Sequence, residues 1–152
     1  MPLFDIPPFP TVPVQGETEG YPVRRIFCVG RNYADHAKEM GHQPDMEAPF
    51  FFCKTPSAIC LAPATIPYAL GTEDLHHEME LVVALGAPAF RATREEAERA
   101  VYAYGCGLDM TRRDRQQDGK DKRRPWDFGK DFEQSAVIAP LTKAADYTVG
   151  TQ

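Results

Sequence analysis

The sequence predicts an α/β fold, bordering on α+β, with a mixed and strongly β core. Three largely apolar segments indicate strands, at residues 24–30, 75–86 and 101–109. Polar segments with helix-like composition stand between and after them, as in folds that pack helices on a sheet. We expect one globular domain, because 152 residues with 43% hydrophobic content can bury a core.

The first third of the chain predicts an irregular arm followed by strand, helix and strand. The proline-rich lead disfavours regular structure, so we assign residues 1–23 to an N-terminal arm and residues 24–152 to the domain. After the first strand, a helix is expected from Asn32 to Met40, because a glycine suited to the left-handed position follows it. The apolar run Phe50 to Lys54 predicts the next strand.

Two further helices are predicted in the second half. The first spans Thr93 to Tyr102 and is opened by a capping box, in which Thr93 is followed three residues later by Glu96. The second is the polar segment from Thr111 to Lys122, which comes directly after the strand that ends at Asp109.

Two acidic residues stand one residue apart in the strand 75–86. Side chains alternate faces along a strand, so Glu78 and Glu80 point one way while Met79 and Leu81 point the other. Carboxylates held this close repel each other unless positive charge lies between them, and an oxygen-preferring divalent cation supplies it. The alternative is a half-exposed strand whose polar face is acidic.

A third acid, Asp109, stands at the predicted end of its strand. Strand ends of this kind often carry the chemistry of α/β folds. Asp109 could instead be the N-cap of the following helix. With no Cys or His at ligand-like spacing beside them, Glu78, Glu80 and Asp109 predict an all-oxygen site that favours Mg²⁺, or alternatively Mn²⁺ or Ca²⁺, over Zn²⁺.

A histidine and a glutamate share one face of the helix predicted at 32–40. His36 and Glu39 are three residues apart. A carboxylate beside a histidine fixes its tautomer and stabilises the imidazolium, which prepares a general base near neutral pH. The alternative is an ordinary surface pair worth roughly 0.2 to 0.5 kcal/mol.

Composition and charge exclude several classes of protein. The mean hydropathy of -0.42 and the absence of an apolar run near 18 residues argue against a membrane span. Four widely spaced cysteines in or beside apolar strands indicate buried free thiols and a reducing, cytoplasmic location. The basic stretch 112–124 could steer anionic substrates or be a solvated helix face. A net charge of -5 and the lack of an aromatic stacking series argue against a nucleic-acid partner.

Five sequence blocks occur in an order that resembles the fumarylacetoacetate hydrolase family. They are VGRNYADHAKEMG, PFFFCK, LHHEMELVVALG, YGCGLDMTRRDRQ and RRPWDFGKDFEQSAVIAP. The resemblance runs from about Arg24 to Pro140, and within the family it is strongest to fumarylpyruvate hydrolases, acylpyruvate hydrolases and oxaloacetate decarboxylases. It implies a rolled β-sheet of the family type.

The resemblance also implies roles for individual residues. The implied metal ligands are the three acids already identified. The implied catalytic residues are His36, Glu39 and Lys130. The implied substrate-binding residues are Arg31, Tyr33, Lys54, Arg113 and Gln116. The implied reaction is metal-dependent hydrolysis of a C–C bond in a 2,4-dioxo acid such as fumarylpyruvate, which yields pyruvate and a carboxylic acid.

Members of this family are usually longer than this chain and mostly homodimeric. We therefore expect a catalytic domain that lacks its C-terminal portion, a small 2-oxo acid as substrate and a homodimer as the assembly. Two alternatives stay open, namely an oxaloacetate decarboxylase that uses the same metal site and a non-catalytic remnant that binds metal or associates with other chains through exposed apolar surface.

Overall fold

The computed structural model describes residues 2–30 and 49–147. The strands are β1 Thr11–Val12, β2 Tyr21–Pro22, β3 Ile26–Gly30, β4 Phe50–Lys54, β5 Ile59–Leu61, β6 Leu75–Leu85, β7 Val101–Arg112, β8 Ala136–Ile138 and β9 Thr142–Lys143. The α-helices are α1 Arg94–Arg99, α2 Arg113–Asp121 and α3 Asp127–Lys130, and 3₁₀ turns occupy Pro56–Ala58 and Ala144–Asp146. The helix predicted at 32–40 lies outside the described residues.

The main sheet has the strand order β5-β8-β7-β6, and β9 also pairs with β7. The long strands β6 and β7 run antiparallel, whereas β5 and β8 run parallel. This mixed sheet, with helices attached, confirms the predicted fold class. Two smaller antiparallel pairs, β1–β2 and β3–β4, complete the β structure of the described residues.

The hydrophobic core covers one end of the β6–β7 pair. Its centre is the opposed pair Ala84 and Ala103, with Leu141 packed against them. Val12 and Val14, which belong to the segment predicted as an arm, are also buried in this core. Because Ala84 is six residues from Glu78 along β6, the core lies about 20 Å from the acidic end of the strand.

The helices after the predicted strands begin and end differently from the predictions. β7 continues through Arg112, so Arg112 is the N-cap of α2 and the interpretation of Asp109 as a helix cap is wrong. Pairing explains the longer strand, because Asp109 is held between Glu78 of β6 and Ala136 of β8.

The capping box predicted for α1 is confirmed. The Thr93 hydroxyl accepts from the Glu96 backbone N–H at 3.3 Å, and the Glu96 carboxylate accepts from the Thr93 N–H at 2.8 Å. The helix ends at Arg99 rather than Tyr102, because β7 begins at Val101.

The β3–β4 ribbon is fastened to α3 by aromatic rings. Gly30 pairs with Phe50, and a Cβ at Gly30 would collide with the Phe50 ring, so a larger residue at this position would require the ring to shift. Trp126, which caps α3, packs edge-on against Phe50 at 5.1 Å between ring centroids and lies 5.9 Å from the ring of Phe52. These contacts fix α3 relative to β4.

All four cysteines are free thiols, as predicted. Cys53 and Cys106 are exposed, however, and Cys28 and Cys60 are only partly buried. No helix in the described part of the chain is long and apolar enough to span a membrane.

Candidate active site

The antiparallel register of β6 and β7 brings two of the predicted acids face to face. Glu78 pairs directly with Asp109, and Glu80 pairs with Gly107. Opposed residues share one face of a sheet, so the carboxylates of Glu78, Glu80 and Asp109 lie on the same face. Strand periodicity determines that Glu78 and Glu80 share a face, whereas the pairing of Glu78 with Asp109 depends on the register of β6 against β7.

A buried lysine joins these two acids. Lys130, the last residue of α3, is only 2% exposed. Its ammonium donates to Glu78 Oε2 at 2.5 Å, to Asp109 Oδ2 at 2.6 Å and to the Thr111 hydroxyl at 2.8 Å. All three ammonium protons therefore have acceptors, which offsets the cost of burying the charge.

A second buried lysine contacts the other carboxylate oxygen of Asp109. Lys54, the last residue of β4, is 3% exposed, and its Nζ lies 2.8 Å from Asp109 Oδ1. It also donates to the Met110 carbonyl at 3.2 Å and to the Lys130 carbonyl. Burial lowers the pKa of Lys54, and the Asp109 carboxylate opposes this change. Asp109 is thus flanked by two ammonium groups.

Helix α2 contributes an arginine to the other carboxylate. Arg113 donates from Nη2 to Glu78 Oε1 at 2.5 Å and from Nη1 to the Gln116 side-chain oxygen at 2.7 Å. Burial opposes ionisation of Glu78, but hydrogen bonds and charge from Lys130 and then Arg113 outweigh it and lower the pKa of Glu78 to about 2. Glu78 is therefore a carboxylate throughout the neutral range.

The fit of a divalent cation can be judged from these donors. In residues 2–30 and 49–147, no group of three His, Cys, Asp or Glu side chains is arranged to hold a metal ion. Glu78 and Asp109 nevertheless converge on one cationic nitrogen, that of Lys130. Asp109 Oδ1 is buried and lies 2.8 Å from the Lys54 ammonium. Glu78 and Asp109 supply oxygen atoms of the kind that a hard cation prefers, and in this structure the two carboxylates share the Lys130 ammonium.

The structure adds one residue that the sequence reasoning missed. Thr111 is fully buried, accepts from Lys130 and donates from its hydroxyl to the Asp109 carbonyl at 3.1 Å. Its spacing of two from Asp109 places it on the same strand face, and this periodicity could have identified it. Four other predicted site residues, Arg31, Tyr33, His36 and Glu39, lie outside the described residues.

The basic stretch 112–124 divides between the site and the surface. Arg113 belongs to the site, whereas Arg112 stacks on the Phe132 ring, with 4.2 Å from its Cζ to the ring centroid. Lys122 pairs with Asp118 at 2.5 Å in an exposed position. This stretch is therefore mostly a solvated helix face, as one of the two predicted alternatives held.

Known proteins resemble this chain both in sequence and in fold. Residues 25–149 match the family model described as fumarylacetoacetate (FAA) hydrolase C-terminal. The chain is 40% identical over 136 residues to an oxaloacetate tautomerase of Escherichia coli K12, covering 88% of this chain and 61% of that protein. It is 44% identical over 104 residues to a fumarylpyruvate hydrolase of a Ralstonia species, covering 67% and 54%, respectively.

A solved structure of a similar protein has the same fold as this chain. The crystal structure of fumarylpyruvate hydrolase from Pseudomonas aeruginosa, in complex with Mn²⁺ and pyruvate, superposes with a TM-score of 0.89 at 44% identity. The match covers 95% of this chain and 64% of that one. The chain thus spans between about half and two thirds of the length of these relatives. The matched family model and the shared fold establish that the chain belongs to the fumarylacetoacetate hydrolase family.

Proposed function

We propose that the chain belongs to a metal-dependent hydrolase that cleaves a C–C bond in a 2,4-dioxo acid. The substrate would be fumarylpyruvate or another acylpyruvate, and the products would be pyruvate and a carboxylic acid. The carrying observation is the convergence of Lys130 on Glu78 and Asp109, two carboxylates that can also hold a divalent cation. The similarity to a fumarylpyruvate hydrolase crystallised with Mn²⁺ and pyruvate supports this choice of substrate.

Glu78 and Asp109 would hold the cation, with Glu80 on the same face as a third carboxylate. We propose Mg²⁺, with Mn²⁺ or Ca²⁺ as alternatives, because the ligands are all oxygen. When bound, such a cation supplies Lewis-acid polarisation of the 2-oxo acid. The Lys130 ammonium, which bridges Glu78 and Asp109 in this structure, would then be available to the substrate.

The remaining chemistry would come from side chains of the protein. His36, oriented by Glu39, would take a proton from water, and the hydroxide would attack the distal carbonyl carbon of the substrate. The C–C bond then breaks, the acyl group leaves as a carboxylic acid, and pyruvate leaves as an enolate that is protonated. Lys130 would donate a hydrogen bond to the enolate oxygen as its negative charge develops.

The remaining predicted residues would bind and orient the substrate. Arg113 can bind a carboxylate with two parallel hydrogen bonds, and Lys54 adds positive charge beside Asp109. Gln116 is buried and accepts from Arg113, so it would orient this arginine. Arg31 and Tyr33 are proposed substrate contacts from the resemblance alone.

Turnover of acylpyruvates by the purified chain tests this proposal. In the presence of Mg²⁺ or Mn²⁺ we expect the chain to release pyruvate, which a coupled assay measures. The variant His36→Ala should lose about 100-fold or more in kcat because it removes the general base, while its affinity for Mn²⁺ stays unchanged. The exposed His76, which pairs with Asp74, supplies the control His76→Ala with normal turnover. Loss of Mn²⁺ affinity in His36→Ala would contradict the assigned role.

A second candidate is decarboxylation of oxaloacetate. The E. coli relative is an oxaloacetate tautomerase, which favours oxaloacetate as a ligand. The same site would bind its 2-oxo acid end, and loss of carbon dioxide would give the same enolate without an attacking water. Comparing kcat/KM for acylpyruvates and oxaloacetate, with carbon dioxide measured directly, separates the two reactions. No turnover of any 2-oxo acid would favour the non-catalytic alternative.

We further propose a cytoplasmic homodimer. The face of β6 and β7 opposite the acids is apolar, with Met79 66% exposed, Val83 46% exposed and Cys106 exposed. It carries no charge at these positions, so a second copy could cover it. The four free thiols support a reducing compartment.

Light scattering on variants with a substitution in this face tests whether the chain forms the proposed dimer. Val83→Lys places a charge in the proposed interface and should convert dimer to monomer. Leu70→Lys, at an 87% exposed position in the loop before β6, should leave the dimer intact. A monomeric wild-type chain at micromolar concentration, or equal effects of the two substitutions, would refute the proposed assembly.

A further inference from the structure

The loop before β6 is hydrogen-bonded to the first turn of α2. Thr72 is buried, and its hydroxyl donates to Asp114 Oδ1 at 2.5 Å, across a separation of 42 residues in the chain. The Glu73 backbone N–H donates to Asp114 Oδ2 at 3.3 Å. In the other direction, the backbone N–H of Arg113 donates to the Asp74 carbonyl at 2.7 Å. The loop and the helix therefore hold each other through both side chains and backbone.

Further contacts determine the conformation of the loop itself. The Thr72 hydroxyl also accepts from the Asp74 backbone N–H at 3.1 Å. Arg115 of α2 donates from Nε to the Gly71 carbonyl at 2.7 Å. Gly71 has a φ of 74°, which glycine adopts readily and other residues rarely do. Residues 71–74 are therefore held both to each other and to α2.

Helix α2 depends on this loop because it begins without a side-chain cap. Its N-cap residue is Arg112, whose side chain makes no capping hydrogen bond. The first backbone N–H groups of a helix have no partner within it, and a helix of nine residues is marginal by itself. Here the Asp74 carbonyl accepts the N–H of Arg113, and the Asp114 carboxylate accepts that of Arg115 at 2.8 Å. The loop and Asp114 thus take the place of a cap.

The arginine of the candidate site belongs to this same turn. Arg113 is the first residue of α2, and its guanidinium donates to Glu78 and to Gln116. The direction of its side chain depends on the backbone of the turn, so fraying of the turn would displace the guanidinium. The hydrogen bond from Thr72 lowers the pKa of the Asp114 carboxyl, so Asp114 accepts these bonds as a carboxylate.

We propose that Thr72 and Asp114 are positioning residues, which hold Arg113 in the orientation that binds the carboxylate of a 2-oxo acid. This inference rests on the proposed function, in which Arg113 binds the substrate. Thr72 and Asp114 act through the backbone of the loop and of α2, without touching the substrate. Their loss should therefore weaken binding of the substrate more than it slows the chemical step.

Calorimetry with pyruvate as the ligand, at saturating Mn²⁺, measures this effect. The variants are Thr72→Val, which keeps the shape of the side chain and removes the hydroxyl, Thr72→Ser, which keeps the hydroxyl, and Asp114→Ala. The matched control is Thr142→Val on β9, which removes a hydroxyl that donates to Gln15 Oε1 at 3.1 Å near the other end of β7. Circular dichroism confirms that each variant is folded.

Thr72→Val and Asp114→Ala should each raise the Kd for pyruvate about fivefold to tenfold, because an arginine that is no longer held in place pays more to bind a carboxylate. Thr72→Ser and Thr142→Val should stay within about twofold of wild type. In turnover of an acylpyruvate, the first two variants should raise KM by similar factors and lower kcat by less than about threefold. If Asp114→Ala does not fold, Asp114→Asn keeps one acceptor oxygen and should raise the Kd about threefold.

The same substitution in an Arg113→Ala background distinguishes positioning from a merely structural role. A positioning residue has no effect once the side chain that it positions is absent. Thr72→Val should therefore change the Kd of Arg113→Ala by less than about twofold. A merely structural role would add its full loss in both backgrounds.

The outcomes separate this inference from the proposed function. A Kd for Thr72→Val within about twofold of wild type, or an undiminished effect in the Arg113→Ala background, overturns the positioning role alone. Pyruvate binding that depends on Thr72 and Arg113, without hydrolysis of any acylpyruvate, overturns the proposed reaction and leaves the positioning role standing. A wild-type chain that binds no pyruvate in the presence of Mn²⁺ overturns both.

Discussion

Replacing Lys130 with methionine is expected to lower the free energy of unfolding by about 3 to 5 kcal/mol without divalent cations. The ammonium is 2% exposed and is shared between Glu78 and Asp109. Its removal leaves two acids facing each other, with Asp109 almost fully buried. Urea unfolding at pH 7 in the presence of a chelator measures the loss. Turnover should also fall by about 100-fold or more, because an enolate-stabilising donor disappears.

A matched control and a rescue sharpen this experiment. Lys122→Met removes an exposed ion pair with Asp118 and should change stability by less than about 1 kcal/mol. Mn²⁺ should restore part of the stability of Lys130→Met, because a cation between Glu78 and Asp109 replaces the missing positive charge. Equal losses in Lys130→Met and Lys122→Met would show that the ammonium does not hold the carboxylates together, and no response to Mn²⁺ would show that Glu78 and Asp109 do not bind a cation.

The pH dependence of stability follows from the same contacts. The pKa of Glu78 is lowered from 4.5 to about 2 in the folded chain. A lowered carboxyl pKa adds stability above the unfolded value of 4.5, and this contribution is lost as pH falls from there towards about 2. In Lys130→Met one of the two cations that lower this pKa is absent, so the same acid range should have a smaller effect on stability.

Strand periodicity was sufficient to predict which acids share a face, but not how they meet. Glu78 and Glu80 are two apart on β6, so their common face follows from local geometry. The direct pairing of Glu78 with Asp109 depends on the register of β6 against β7, which long-range contacts determine. Within the described residues the three acids do not form a group arranged to hold a metal ion, and two of them, Glu78 and Asp109, instead share the Lys130 ammonium.

The lysines of the site show a second limit of sequence reasoning. Lys54 ends β4 and Lys130 ends α3, and they are 76 residues apart. No local pattern relates them, and only the family resemblance assigned both of them to the site. Their meeting depends on the packing of Trp126 against Phe50 and Phe52, which fixes α3 on the β3–β4 ribbon.

Replacing Asp109 with asparagine is expected to weaken Mn²⁺ binding by more than about 100-fold and to abolish measurable turnover. Asparagine matches aspartate in size, so β7 should keep its pairing with β6 and β8. It removes the negative charge that Lys54 and Lys130 share, and it offers a cation only a neutral oxygen. Isothermal titration with Mn²⁺ measures the affinity, and pyruvate release measures turnover.

The exposed Asp118 supplies the matched control, since Asp118→Asn removes the same charge from the solvated side of α2 and should leave both measurements unaltered.

The loss of the Asp109 charge should also affect the two buried lysines that contact it, Lys54 and Lys130. With Asp109 neutral, burial acts on Lys54 without its main opposing charge, so the pKa of Lys54 should fall further than in the wild type. The free energy of unfolding of Asp109→Asn should therefore be lower than that of the wild type, because two buried ammonium groups lose the carboxylate that they share. Mn²⁺ affinity within threefold of wild type in this variant would show that Asp109 is an ion-pair partner of the lysines and not a ligand.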